Sequence, residues 1–259
     1  MHTYWGEKAQ RITFLGPGND VTATSNDTDA GAARRFALAT ANITWNAPLG
    51  GKTVPITMGK MYTWIGYELV ENIGNANYTH CQTYNNAIPF THMGMSFDVS
   101  EFLPSDSLGL TLYAVNGWDS YIDNTEGKSF GFYLTYAPND DFFASLATIH
   151  GPEAFANQSE SDNTMMYNVV LTYALPQIAP LSLGFDWNHG YMEDRRSHSG
   201  RKTKSDDGLS GAHWWATAGY AMFDYTDNQM GALRYEYYSD DDGAKGFDYS
   251  LWTITYTHN

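Results

Sequence analysis

Large apolar residues alternate with small polar residues along most of the chain. In residues 128–137, Ser, Gly, Tyr and Thr alternate with large apolar side chains, which are Phe130, Phe132, Leu134 and Tyr136. A period of two residues predicts a β-strand with two unlike faces. The pattern recurs and predicts eleven strands, at residues 36–46, 54–62, 90–99, 108–116, 128–137, 141–150, 164–173, 180–189, 211–223, 231–239 and 249–258.

The connections between these strands alternate strictly in length. The short connections are residues 47–53, 101–107, 137–140, 174–180 and 224–229. The longer ones, which we expect to be external loops, are residues 63–89, 117–127, 151–163, 190–210 and 239–246. In an up-and-down meander, alternate connections lie at opposite ends of the sheet. Tight turns at one end and long loops at the other are typical of outer-membrane barrels.

The two strand faces favour a membrane barrel over a soluble β-sandwich. The polar face holds Gly, Ser, Thr and Asn but few Lys or Glu, whereas the outer face of a sandwich would be rich in those charges. Aromatic residues also gather near strand ends, as in an interfacial girdle. We therefore expect an all-β, antiparallel, up-and-down transmembrane β-barrel of 11–12 strands. A glycan-binding sandwich with exposed Tyr and Trp stays the alternative.

We expect one domain over residues 1–259, with an N-terminal segment at residues 1–33 and the barrel strands in residues 34–259. Residues 9–16, "AQRITFLG", are the candidate for a twelfth strand. The chain shows no signal peptide, and it ends on Asn259 rather than on the aromatic residue with which outer-membrane barrels usually finish. These two features lead us to expect a fragment.

Composition and net charge exclude some kinds of partner and some kinds of site. The chain has 259 residues with 42% hydrophobic and 17% charged residues, and no apolar run reaches the length of a transmembrane helix. Its formal net charge of −15 argues against nucleic acid as a partner, because phosphate backbones require clustered cations. One cysteine, Cys81, allows neither a disulfide framework nor a cysteine metal site.

No motif predicts catalysis, a metal or a cofactor. His92 has no second ligand at a suitable spacing, and His189, His198 and His213 lack the spacing of a zinc motif. Adjacent aspartates in residues 239–246 do not follow the alternate-oxygen pattern of a calcium loop, so we expect an exposed acidic loop there. The sequence therefore predicts a protein that is not an enzyme.

Residues 54–140 carry a set of motif positions in a defined order. They are Gly59, Gly66, Glu68, Pro89, His92, Gly94, Asn116, Gly117 and Trp118. In order and spacing they resemble the β-barrel porin-2 family of bacterial outer-membrane proteins. The resemblance implies an outer-membrane channel in contact with membrane lipid and lipopolysaccharide, of no defined oligomeric state.

The resulting hypothesis is a porin-like channel for passive diffusion of small hydrophilic solutes. A barrel with only a structural role, and no conducting pore, is the further alternative. The polar face supplies the candidates for pore-lining residues, which are Lys60, Tyr133, Asp186, Arg234 and Glu236. The long loop at residues 63–89, with Trp64, Tyr67 and Glu68, is expected to fold inward and constrict the channel.

Overall fold

The computed structural model describes residues 2–5, 36–120, 123, 125, 127–153, 163–178, 180–193, 211–226 and 228–258. The strands are β1 (His2–Trp5), β2 (Phe36–Leu49), β3 (Lys52–Tyr62), β4 (Thr91–Asp98), β5 (Leu108–Val115), β6 (Ser129–Asn139), β7 (Phe142–Pro152), β8 (Asn163–Leu175), β9 (Leu181–Met192), β10 (Ala212–Thr226), β11 (Gln229–Ser239) and β12 (Ser250–His258). Short helical turns lie at Asn72–Gly74, Thr83–Ala87, Ser100–Phe102 and Pro176–Ile178.

The strands form one 12-stranded sheet in which each strand is a neighbour of the next along the chain. Successive strands are antiparallel, as in the pairing of β10 with β9 and β11, where Gly219 lies opposite both Phe185 and Tyr235. This meander confirms the predicted fold class. The sandwich alternative is wrong, because a sandwich needs crossovers that this strand order does not contain.

All eleven predicted strands are present as β2 to β12, with ends that differ by a few residues from the predicted ones. The additional strand, β1, is His2–Trp5, whereas the predicted candidate at residues 9–16 lies outside the described residues. Because propensity and alternation extend into the turns, strand ends are the part that a pattern predicts least well.

The sheet is not closed within the described residues. β1 pairs only with Phe36–Thr40 of β2, and no ladder in this part of the chain joins β12 to β1 or β2. Among the described residues, β1 and residues 41–49 of β2 therefore form one edge of the sheet, and β12 forms the other.

The two faces of the strands have different environments. On β10, Trp214, Ala216 and Ala218 are fully buried on the inner face, while Trp215 and Phe223 are more than a third exposed on the outer face. Large apolar side chains remain exposed around the whole outside, among them Phe130, Tyr136, Tyr173, Phe185, Tyr235 and Trp252. In the described part of the chain, no helix is both long enough and apolar enough to span a membrane.

Candidate functional site: an inner loop bound to the barrel wall

The connection from β3 to β4, residues 63–90, runs inside the barrel and is called the inner loop below. Near the start of the loop, Trp64 is buried and stacks on Tyr113 of β5, with ring centroids 3.6 Å apart and ring planes 9° apart. The indole Nε1 of Trp64 donates a hydrogen bond of 3.2 Å to the carbonyl of Thr148 on β7. The inner loop therefore enters the interior directly after β3 ends.

Polar side chains of β8 and β9 then bind the backbone of the inner loop. The amide of Gly66 donates to Asn168 Oδ1 at 3.0 Å, and the amide of Tyr67 donates to Asp186 Oδ2 at 3.3 Å. Asp186 Oδ1 accepts further bonds from Asn168 at 2.6 Å and Asn188 at 3.0 Å. A buried loop backbone needs such partners because no strand lies beside it.

A buried ionic cluster fixes the middle of the inner loop to β11. Arg234 Nη1 lies 2.8 Å from Glu68 Oε1, and its Nε lies 3.2 Å from Glu236 Oε1. The side chains of Arg234, Glu68 and Glu236 are at most 2% exposed. Glu236 also accepts short hydrogen bonds from the amide of Gln82 and the hydroxyl of Thr253. One guanidinium thus connects the wall to both limbs of the loop.

Glu68 is the centre of this network. Its Oε1 accepts from the hydroxyl of Tyr220 at 3.0 Å, and its Oε2 accepts from the amide of Cys81 at 2.8 Å and lies 3.2 Å from His80 Nδ1. Burial acts to raise the pKa of Glu68, but hydrogen bonds from His80 and Cys81 and the charge of Arg234 together bring that pKa below its ordinary value. Glu68 is therefore ionised at neutral pH.

The returning limb of the loop contacts β10, β11 and β12. Asn77 Nδ2 donates to Thr257 Oγ1 at 3.0 Å and to the carbonyl of Ala232 at 3.2 Å. Trp214 Nε1 donates to the carbonyl of Ala87 at 3.0 Å. The inner loop consequently bonds to every strand from β7 to β12.

A second pair of carboxyl groups lies where the inner loop ends, at the long-loop end of the barrel. Asp119 Oδ1 accepts from the amides of Phe90 and Thr91 at 2.7 and 2.8 Å, and Glu153 accepts from the amide of Trp118 at 2.7 Å. Burial raises the pKa of Asp119 to about 7 and that of Glu153 to about 8. These two groups titrate near neutral pH.

The ammonium of Lys245 lies over the same region. It is 4.2 Å from the ring centroid of Trp118 and 5.3 Å from that of Trp214. Asp240 holds the loop between β11 and β12 in place. Its side chain is fully buried and accepts hydrogen bonds from the backbone amides of Lys245 and Phe247, each at 2.9 Å. The prediction of an exposed acidic loop is therefore wrong for Asp240, whose carboxylate organises a turn.

The structure brings together most of the residues proposed from the sequence. Trp64, Tyr67 and Glu68 lie in the interior, and Asp186, Arg234 and Glu236 lie on the wall that binds them. Tyr133 is half-buried and packs against the buried cluster. Lys60 lies apart from this group, and its Nζ donates a hydrogen bond of 2.8 Å to the carbonyl of Leu38.

The family-motif positions surround the inner loop. Gly66, Glu68 and Pro89 are in the loop, Gly59, His92 and Gly94 are on the strands that flank it, and Asn116, Gly117 and Trp118 follow β5. Fully buried His92 donates from Nδ1 to the carbonyl of Gly117 at 2.9 Å and accepts at Nε2 from the hydroxyl of Thr63 at 3.1 Å. His92 therefore holds the start of the loop to the segment after β5.

Sequence reasoning missed the side-chain amides of Asn168, which binds the loop backbone, and of Asn188, which binds Asp186, as well as the carboxyl groups of Asp119 and Glu153. Both asparagines fall on the polar phase of their strands, and that phase was the available signal. Of the other histidines, His189 and His213 approach to 3.3 Å, and His198 lies outside the described residues. Among the described residues no group of three or more His, Cys, Asp or Glu side chains could hold a metal ion.

Comparison with known proteins identifies the family. The family model described as "Putative beta-barrel porin-2, OmpL-like" matches residues 8–259. The chain belongs to this family. As a porin-2 barrel it is a bacterial outer-membrane protein with a porin-like fold, in contact with outer-membrane lipid. No curated protein matches the chain.

Among solved structures, the chain is similar to the crystal structure of a double variant of OccD1 (OprD). The identity is 17% and the TM-score is 0.39, over 76% of this chain and 46% of that chain. This porin-2 barrel therefore spans less than half the length of that chain.

Proposed function

We propose that the protein allows passive diffusion of small hydrophilic solutes across the outer membrane, past an inner loop that constricts the lumen. The observation that carries the proposal is the inner loop itself, which is bound on one side along β7–β12 and is open on the other. Leu69, Ile73 and Tyr78 are 56%, 98% and 79% exposed. The space beside these three side chains is the proposed solute path.

The polar bonds described above support a fixed constriction rather than a passing contact. A diffusion channel needs a lumen that keeps its shape, and buried, fully bonded polar networks give that rigidity. The mechanism needs no cofactor, energy input or covalent step. The proposal therefore includes no catalytic activity. It assigns the pore-lining role to half-buried Lys60 and Tyr133, whereas Asp186, Arg234 and Glu236 are buried beneath the inner loop and fix its position.

Planar-bilayer recording of the detergent-folded chain tests the proposal. We expect stepwise conductance, which increases when residues 70–86 are deleted. Ile73→Trp, which enlarges an exposed loop side chain, should lower conductance without disturbing the bonded side of the loop. Ile178→Trp is the matched control, because Ile178 is 58% exposed in the short helical turn Pro176–Ile178 at the opposite end.

Folding of each variant is checked by heat-modifiable gel mobility, so that a conductance change caused by misfolding is not mistaken for an effect on the pore. Folded protein without any conductance would favour the barrel with a structural role only. Conductance that is the same in the deletion and in Ile73→Trp as in the parent chain would refute the constriction.

A further inference from the structure

The place where the inner loop crosses the lumen is called the crossing below. Among the described residues it holds more acidic side chains than cations. In the part of the chain that the structure describes, the acidic side chains Glu68, Glu236 and Asp186 lie there with a single guanidinium, that of Arg234. Arg234 contacts both glutamates, whereas the hydrogen bonds to Asp186 come from neutral donors, the amides of Asn168 and Asn188 and the backbone of Tyr67. His80 also lies there, and its imidazole contacts Glu68.

The sequence around the inner loop is also negatively charged. From residue 61 to residue 127 the chain contains no Lys or Arg, yet that stretch holds Glu68, Glu71, Asp98, Glu101, Asp106, Asp119, Asp123 and Glu126. The inner loop itself contributes Glu68 and Glu71. Glu71 is half-buried, and its Oε1 accepts a hydrogen bond from the hydroxyl of Tyr62 at 3.0 Å. Every acidic or basic residue of the loop, apart from His80, is therefore a carboxylate.

Fixed negative charge in a narrow path raises the local concentration of cations and lowers that of anions. Rings of carboxylates are a known means of cation selection in pores, and low-dielectric walls strengthen the effect. The lowered pKa of Glu68 keeps its charge at neutral pH. At the long-loop end, burial raises the pKa of Asp119 to about 7 and that of Glu153 to about 8, so both are partly protonated at neutral pH, and among the described residues the more fully ionised carboxylate is Glu68 at the crossing.

We propose that this barrel passes small cations in preference to anions, and that the carboxylates of the inner loop and its crossing set that preference. The inference rests on the proposed channel function and adds the charge class of the solute. One unit charge at roughly 4 Å from a solvated ion enriches a cation about fivefold and depletes an anion about fivefold, which corresponds to a preference of roughly 25-fold.

The test is the reversal potential of the folded chain in a planar bilayer with a KCl gradient. We expect a potential of the sign given by K⁺ permeation, with roughly 25-fold preference over Cl⁻. Glu71→Gln should reduce the preference while keeping the acceptor for Tyr62. The matched control is Glu101→Gln, because exposed Glu101 lies in the short helical turn Ser100–Phe102 at the other end and should leave the preference unchanged.

Each outcome bears on a different part of the inference. Conductance with no preference, or with preference for Cl⁻, overturns the selectivity and leaves the channel function standing. Cation preference that Glu71→Gln does not reduce overturns the role of the loop carboxylates. Absence of conductance in folded protein overturns the channel function, and the selectivity with it.

Discussion

The sector β7–β11, called the supported sector below, and the part of β2 at residues 41–49 use their inner faces differently. In the first sector Asn168, Asp186, Trp214 and Arg234 are at most 2% exposed, and each bonds to the inner loop. On β2, by contrast, the inner-facing side chains Asn42, Thr44 and Asn46 are exposed, and the side chains of Asn42 and Thr44 bond to β3 rather than to the inner loop. We therefore expect the stability of the interior to be concentrated where wall side chains replace the missing ladder partners of the loop.

The largest effect is expected from removing the cation in the supported sector. Arg234→Met leaves Glu68 and Glu236 buried without a positive partner, which should cost about 3–5 kcal/mol of unfolding free energy. Urea unfolding of the barrel in detergent measures the loss. Gln replacing both glutamates in the Arg234→Met background should restore part of it, because no buried charge is then left uncompensated.

Lys52→Met is the matched control for that variant. Lys52 is exposed and donates to the carbonyl of Glu101 near a short turn, where solvent replaces a lost partner easily. We expect little change in its urea midpoint. Equal losses in Arg234→Met and Lys52→Met would contradict the distinction between the supported sector and the rest.

A pH-dependent effect is expected at the end of the inner loop. The pKa of Asp119 is about 7 in the folded state, whereas its ordinary value is 3.8. Between these values the folded protein keeps a proton that the unfolded chain releases, so stability falls as pH rises from about 4 to about 7. The slope from one such group is at most about 1.4 kcal/mol per pH unit.

Asp119→Asn isolates this contribution, because the amide oxygen can still accept from Phe90 and Thr91. We expect urea midpoints at pH 5, 6, 7 and 8 to decline less steeply in Asp119→Asn than in the parent chain. Parallel declines in the two proteins would show that Asp119 does not titrate in this range.

The sequence predicted the wall better than the interior, for a physical reason. Alternation places Asp186, Arg234 and Glu236 on the polar face because the side-chain period of a strand is two residues. It does not say which loop atom each one meets, since those partners lie more than 100 residues away, as Tyr67 does from Asp186. Trp64, Tyr67 and Glu68 belong to a loop that its length singles out, whereas the role of Asn168 depends on a partner 102 residues away. The role of Asp119 depends on loop amides 28 and 29 residues away, which strand alternation does not locate.

A smaller effect is expected from the glycine at which the inner loop turns toward β8. Gly66 has a φ of +100°, and a Cβ there would lie 2.5 Å from Ile88 Cδ1. Gly66→Ala should cost about 1–3 kcal/mol, because an L side chain rarely adopts this φ. Gly219→Ala is the matched control on the outer face of β10, where a Cβ would meet no atom within 4 Å. Comparable urea midpoints for the two variants would contradict this assignment of strain.

The smallest effect is expected at the sheet edge. Thr44 of β2 and Thr57 of β3 share a hydrogen bond of 2.9 Å between exposed hydroxyls. Thr44→Val keeps the shape and the β-propensity but removes the bond, so we expect a loss below about 1 kcal/mol in urea unfolding. Thr57→Val should give the same small loss, and the double variant should add nothing to it, because one shared bond is removed in each case. A loss as large as that of Arg234→Met would mean that the edge carries as much stability as the supported sector, which would remove the basis of the comparison.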